Sequence, residues 1–244
     1  MLISECRDTI QLLTLNNPTK RNALHPHLIS ALSHRLAEIE TDAKMTVVVL
    51  TGAGSSFCSG LDLFHLASLN GHDRGEYLRT FFAVFSQIYC LKQPVIAAVN
   101  GPAIAGGFDL AAACDLRLCS REARFGQTEV LLGITQIMYP IYKSIGLGRA
   151  KELALTGKLI SADEAYRIGL VNHVYAAEEL QLEALKLAEL LASRPRDALF
   201  ATKRLSRELL DTNAEAAFRL MFETISERLK SEEHRTELQK HIAR

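Results

Sequence analysis

Two short apolar runs constrain this chain more than any other feature. Residues 47–51 and 94–99 show no polar alternation, the pattern of strands buried on both faces. Such strands belong to a parallel sheet covered by helices on either side. Each run feeds a glycine-rich loop, 52–60 and 101–107, and the two units lie about 48 residues apart, a hint of a structural repeat.

The flanking patterns agree with α/β architecture. Residues 9–15 form a β-rich run ending at the turn Asn16-Asn17-Pro18. Leu28, Ala31, Leu32, Leu36 and Ile39 fall at helical spacing, and a second helical stretch covers 77–89. The second glycine loop opens an alanine-rich helix, and 116–119 and 170–174 read as further strands. Beyond about residue 177 the pattern turns almost continuously helical, over 178–193 and 197–241, with a break at Arg194-Pro195-Arg196. The last stretch has too little apolar surface for its own core. It is expected to pack on the body or on a neighbouring subunit. The expected division is a core over 1–190 and a helical region over 191–244.

Several function classes fall on composition and motif. Lys and Arg number 28 against 28 Asp and Glu, so no basic field invites nucleic acid or an anionic membrane. The longest charge-free stretch, 45–61, is interrupted by Gly52, Gly54 and Gly60 and falls short of the ~20 apolar residues of a membrane span. The 5 cysteines form no CxxC pair and no zinc-like spacing, and read as small buried hydrophobes in a reducing compartment. The beginning of the sequence carries neither a secretory nor a transit pattern, so the expected location is cytoplasmic. The loop Gly52-Ala53-Gly54-Ser55-Ser56-Phe57 breaks a dinucleotide fingerprint at its last position, and no P-loop or GxSxG elbow is present. His25 and His27 flank Pro26 with nothing nearby to complete a metal site, and read as a pair near a helix start.

The positive signal lies at Ala105-Gly106-Gly107-Phe108-Asp109, where an extended segment becomes a helix. The first N–H groups of a helix lack partners and carry the positive end of its dipole, so the Gly106 amide can meet an oxygen gaining negative charge. Asp109, three residues on, shares that side of the helix. The loop ending Ser59-Gly60-Leu61-Asp62-Leu63 can present a second amide. Either glycine cluster alone reads as a turn. Glu129 precedes the apolar run 130–132, where a carboxylate also serves simply as a solvated helix start. The residues by themselves stop at an oxyanion pocket with acids.

In this order the pieces resemble the enoyl-CoA hydratase/isomerase (crotonase) superfamily. The matching stretches are 15–24, 49–52 with 57–63, 94–101 through 106–110, Cys114-Asp115, Phe125-Gly126-Gln127 with Glu129, and 155–172. The resemblance implies a crotonase-like spiral of ββα units with a helical C-terminal oligomerisation region that builds homotrimers or hexamers. It implies an acyl-CoA thioester as ligand, coenzyme A being part of the substrate, and no metal or redox cofactor. The Leu61 and Gly106 amides would form the oxyanion hole. Asp109 and Glu129 stand at the two positions of the hydratase acids. Lys20 and Arg21 would meet coenzyme A phosphates, and Ala23, Leu24, Ser59, Gly60, Asp62 and Leu63 would line its path.

The chain departs from the family pattern in three places. Asp109 is one methylene shorter than the usual glutamate. Residues 134–140 replace the glycine-rich turn after the second acid, with Met138 and Tyr139 either walling the acyl pocket or joining the core. Residues 231–237 lack the usual E-G-x-x-A-F ending. Phe64, Leu66, Phe81, Phe82 and Phe85 are tail-pocket candidates or core. The expected activity is hydration of a 2-enoyl-CoA. The alternatives are double-bond isomerisation, decarboxylation, or coenzyme A binding without turnover.

Overall fold

Alternation of buried strands and amphipathic helices dominates the computed structural model, which describes residues 2–243. The chain opens with a hairpin of β1 (Leu2–Arg7) and β2 (Ile10–Leu15), turned at Asp8 with φ 54°. Then follow α1 (Pro26–Thr41), β3 (Val47–Gly52), α2 (Leu63–Ser68), α3 (Gly71–Cys90), β4 (Val95–Val99), β5 (Ala103–Ile104), α4 (Gly106–Ala113), β6 (Leu116–Ser120) and β7 (Arg124–Gly126). The second half runs α5 (Ile141–Ile145), α6 (Leu147–Thr156), β8 (Ile160–Ser161), α7 (Ala162–Arg167), β9 (His173–Tyr175), α8 (Ala177–Ala192), α9 (Arg196–Glu208), α10 (Ala214–Leu229) and α11 (Glu232–Ile242).

The main sheet has the order β1-β2-β3-β4-β6-β9 and is parallel after the first hairpin. The two apolar runs are neighbours in it, with Val48 opposite Val95. Both faces are buried, as the lack of alternation predicts. On one face Leu13, Leu15, Val48, Leu50, Ala97 and Val99 pack with Leu28, Leu32 and Leu36 of α1, Val84 and Ile88 of α3, and Phe108 of α4. On the other, Ile10, Leu12, Val47, Val49, Ile96 and Ala98 pack with Leu180, Ala184 and Ala188 of α8. Each fully buried aliphatic chain contributes roughly 1.5–3 kcal/mol of transfer free energy.

Some boundaries differ from expectation for local reasons. Helix α3 begins at Gly71, six residues before the apolar periodicity, because the Asn70 side chain caps it by accepting from the Asp73 amide at 3.0 Å. Leu170 and Val171 belong to the core ahead of β9 rather than to the strand itself. The last helical stretch is three helices, interrupted at Leu209–Asp211 and at Ser231, which caps α11 by accepting from the His234 amide. His25 caps α1, its Nδ1 accepting from the His27 amide at 3.4 Å.

Helix α9 is fastened to the body through Lys203, which donates to Gln93 O at 2.8 Å and pairs with Asp115 at 2.6 Å. Helix α10 leaves Phe218 and Phe222 69% and 71% exposed. Among the described residues no helix is long and apolar enough to cross a membrane.

What positions the site is a second, smaller sheet, β5-β7-β8. Parallel pairing of Ala103 with Phe125 and Ile104 with Gly126 brings the chain leaving β5 alongside the chain leaving β7. Gly106 and Asp109 follow the first, Gln127 and Glu129 the second.

Candidate active site

The loop after β3 is held open by two asparagines. Asn22 is fully buried in a left-handed conformation (φ 54°), and its Nδ2 donates to Ala53 O (2.9 Å) and Ser56 O (2.8 Å). Asn100 Oδ1 accepts from the Gly52 amide at 3.1 Å, while its Nδ2 donates to Gly54 O at 2.8 Å. These bonds fix the glycine-rich first half of the loop, and Phe57 and Cys58, fully buried in the core, anchor its second half.

The far end of this loop meets the start of α4 through glycines. A Cβ on Gly107 would lie 2.1 Å from Cys58 O. Gly60 has φ 85°, and a Cβ there would lie 2.9 Å from Gly106 N, so only glycine lets the two backbones approach. Leu24 N donates to Gly60 O at 2.8 Å, and Leu24 and Leu61 form a parallel bridge. Tyr77 locks the next residue: its hydroxyl donates to Leu24 O and accepts from the Asp62 amide at 3.0 Å. On the other side Ala105 sits at φ 51°, ψ −127°, with its amide donating to Gly126 O at 2.8 Å. An alanine in so rare a conformation costs on the order of 1–3 kcal/mol and marks a backbone whose direction matters. Among the described residues, neither the Leu61 nor the Gly106 amide donates a hydrogen bond in these loops.

Beside Gly106 lies a pair of acids. Asp109 is 2% exposed, on the first turn of α4. Gln127 Nε2 donates to its Oδ1 at 3.3 Å, and its Oδ2 is buried with no donor. Glu129 opens a short 3-10 turn, yet its carboxyl turns inward toward Asp109 instead of into solvent, and its Oε2 is likewise buried without a donor. Burial, and then the neighbouring Glu129 charge, push the Asp109 carboxyl well above the usual carboxylate range. Burial also raises Glu129, opposed by its own amide and by hydrogen bonds from Gln136 and from Asp109. Both carboxyls are thus biased toward their protonated forms, and they titrate as a coupled pair. Burial pushes the adjacent Cys58 thiol up to about 12, which leaves it protonated and unreactive as a nucleophile at neutral pH.

The structure therefore brings together Leu61, Gly106, Asp109 and Glu129, which lie on three separated stretches of chain. The remaining candidates occupy one rim. Ser59 N donates to Arg21 O, Arg21 is exposed at φ 51°, and Leu63 is exposed. Ala23 and Leu24 bury their side chains in the core, so only their backbone faces a ligand path. Asp62 is taken up structurally: it caps α2, accepting from Phe64 N and His65 N, and pairs with Lys20 at 3.1 Å. Lys20 and the cap bonds hold its carboxyl below the usual range against the cost of burial. Phe81 and Phe85 are core, with Phe81 beneath Gly106, whereas Phe64 and Phe82 are exposed. Met138 packs on the core, and Tyr139 joins its hydroxyl to that of Tyr89 at 3.1 Å.

Gln127, Gln136, Tyr77 and Asn22 hold this site and were not singled out from sequence. Gln127 sits inside a recognised motif, but a lone amide gives no spacing signal of its own.

The model of the family described as enoyl-CoA hydratase/isomerase matches residues 5–242. The short-chain-enoyl-CoA hydratase of Clostridium acetobutylicum is 34% identical over 238 residues, covering 96% of this chain and 91% of that protein. The crotonyl-CoA hydratase of Syntrophomonas wolfei is 35% identical over 220 residues, covering 88% and 85%. The crystal structure of the enoyl-CoA hydratase from Bacillus anthracis superposes with a TM-score of 0.96 at 30% identity, covering 99% of this chain and 96% of that one.

Proposed function

This chain belongs to the enoyl-CoA hydratase/isomerase family, and we propose that it adds water across the 2,3 double bond of an acyl-CoA thioester. The observation that carries this reading is the Asp109–Glu129 pair beside the Gly106 amide, two inward-facing carboxyls that each keep one oxygen buried without a donor. Hydration needs a base for water and an acid for carbon in one place, and a coupled pair of carboxyls supplies both.

The thioester carbonyl oxygen is received by the Leu61 and Gly106 amides, which stabilise enolate charge, each contributing on the order of 10²–10³ in rate. Glu129 takes a proton from water as its oxygen bonds to C3. The pair returns a proton to C2, with Asp109 as its protonated member. Proton transfer of this kind contributes about 10²–10⁴. Coenzyme A lies along the backbone of Ala23, Leu24, Ser59, Gly60, Asp62 and Leu63, with Lys20 and Arg21 at its phosphates. Asp62 acts there through the Lys20 ion pair and the α2 cap rather than by direct contact.

Self-association as a homotrimer, or a pair of trimers, is part of the proposal, supported by the apolar face of α10 with Phe218, Phe222 and Ile225 exposed. A cytoplasmic location is supported by five cysteines that are all free.

The deciding experiment is mass-resolved turnover of 2-enoyl- and 3-enoyl-CoA thioesters by the native enzyme, Asp109→Asn and Glu129→Gln. Gain of one water mass, lost in both variants, is expected. Mass-neutral conversion that survives Asp109→Asn but not Glu129→Gln would make the protein an isomerase instead.

A further inference from the structure

Helix α4 carries the Gly106 amide at its front and ends against a buried cation. Arg117, on β6, is 8% exposed and turns its guanidinium back onto the last turn of the helix. Its Nη1 donates to Cys114 O at 2.5 Å and to Ala111 O at 3.4 Å, and its Nε donates to Leu170 O at 2.6 Å. The main chain is clamped as well. Arg117 N donates to Asn172 Oδ1 and Asn172 N donates to Arg117 O, both at 2.8 Å.

Among the described residues no acid forms an ion pair with this guanidinium. The carboxylate nearest in sequence, Asp115, is taken by Lys203 at 2.6 Å and by the Val95 amide at 2.7 Å. A neutral amide would satisfy the same carbonyls without the cost of burying a charge. What balances the cation is the helix itself, whose last carbonyls carry the negative end of its dipole. At 8 residues α4 is only about 12 Å long, so that negative end stands near enough to weaken the positive end at Gly106. The guanidinium cancels it. The front of the helix meanwhile has no slack, since a Cβ on Gly60 would lie 2.9 Å from Gly106 N and one on Gly107 2.1 Å from Cys58 O.

We propose that Arg117 is a positioning residue for the Gly106 amide, acting through α4: its charge closes the negative end of the helix and leaves the positive end unopposed toward the thioester oxygen. The inference rests on the hydratase reading. It gives a chemical reason for a charge buried at the end of α4 remote from the substrate, where it touches no reacting atom.

The test reads the thioester carbonyl directly. Butyryl-CoA labelled with carbon-13 at its carbonyl has no double bond to hydrate, and its infrared carbonyl band falls in frequency as the oxygen is polarised. On the native enzyme the bound band should lie below that of the free thioester. Arg117→Gln keeps amide donors and loses the charge. Its band is expected to return part of the way to the free position, with kcat for crotonyl-CoA hydration down roughly fivefold and KM little changed. Arg117→Lys keeps the charge and loses the fork, and should hold the native band and most of kcat. Only ligand bound to folded protein gives the shifted band, so partial unfolding lowers its amplitude without moving it. A native band position in Arg117→Gln would reduce Arg117 to a structural tie and overturn the proposal. So would a displaced band in Arg117→Lys, which carries the test alone if the glutamine variant does not fold. A native enzyme that binds butyryl-CoA without moving the band would instead overturn the oxyanion reading on which the proposal stands.

Discussion

Asp109, in the first turn of the short helix α4, and Asp115, two residues past its end, lie six positions apart and have opposite surroundings. Asp115 Oδ2 accepts from the Val95 amide at 2.7 Å and pairs with Lys203 at 2.6 Å, so its charge is matched where it sits. Asp109 faces another acid, one glutamine amide and no cation. A fold that merely needed polar residues at both ends of α4 would have satisfied both. The satisfied carboxylate ties a distant helix to the sheet, and the unsatisfied one is held ready to exchange a proton. Unmatched burial costs stability, and a fold retains it where chemistry requires it.

The sharpest way to break this contrast is to neutralise each acid in turn. Glu129→Gln and Asp109→Asn are expected to lower kcat by roughly 10²–10⁴ while leaving the urea midpoint unchanged or higher. A fall in stability comparable to the loss of activity would make the pair structural.

Asp115→Asn should behave in the reverse sense. It leaves the Lys203 ammonium buried without its counter-charge, at a cost of about 3 kcal/mol in urea unfolding and with kcat per folded enzyme preserved. Lys203→Met should cost less, about 1–2 kcal/mol, because the Asp115 side chain retains 27% exposure and its bond from the Val95 amide. Equal losses from the two would remove the asymmetry of burial on which the comparison depends.

The smallest effect is on the pH dependence of stability. Both site acids titrate higher in the folded than in the unfolded chain. The native state therefore binds more protons, and stability falls as pH rises from the unfolded carboxylate value near ~4 toward the folded one. Asp109→Asn should flatten that decline relative to the native protein when urea midpoints are followed from pH 4 to 8. A slope unchanged by the substitution would place the proton elsewhere.

Much of the frame was legible because it follows from short-range chemistry. Continuous apolar runs mark doubly buried strands, and apolar spacing over 27–39 marks α1. Boundaries set by one polar cap, such as Asn70 for α3, carry no periodic signal and were placed late. Asp62 illustrates the same limit within the site, since its place in a motif shows nothing of the α2 cap and the Lys20 bond that occupy its carboxyl.

The order of the glycine loops and acids along the chain was enough to establish the family resemblance, the α/β class and the residues to watch, because those motifs are local. Only the tertiary structure decided that the carboxyls of Asp109 and Glu129 face one another, since parallel pairing of β5 with β7 brings together residues 20 positions apart. It also decided that both carboxyls are raised above their ordinary range. A pKa is set by burial and by neighbours in space, and neither is written at any single position of the sequence.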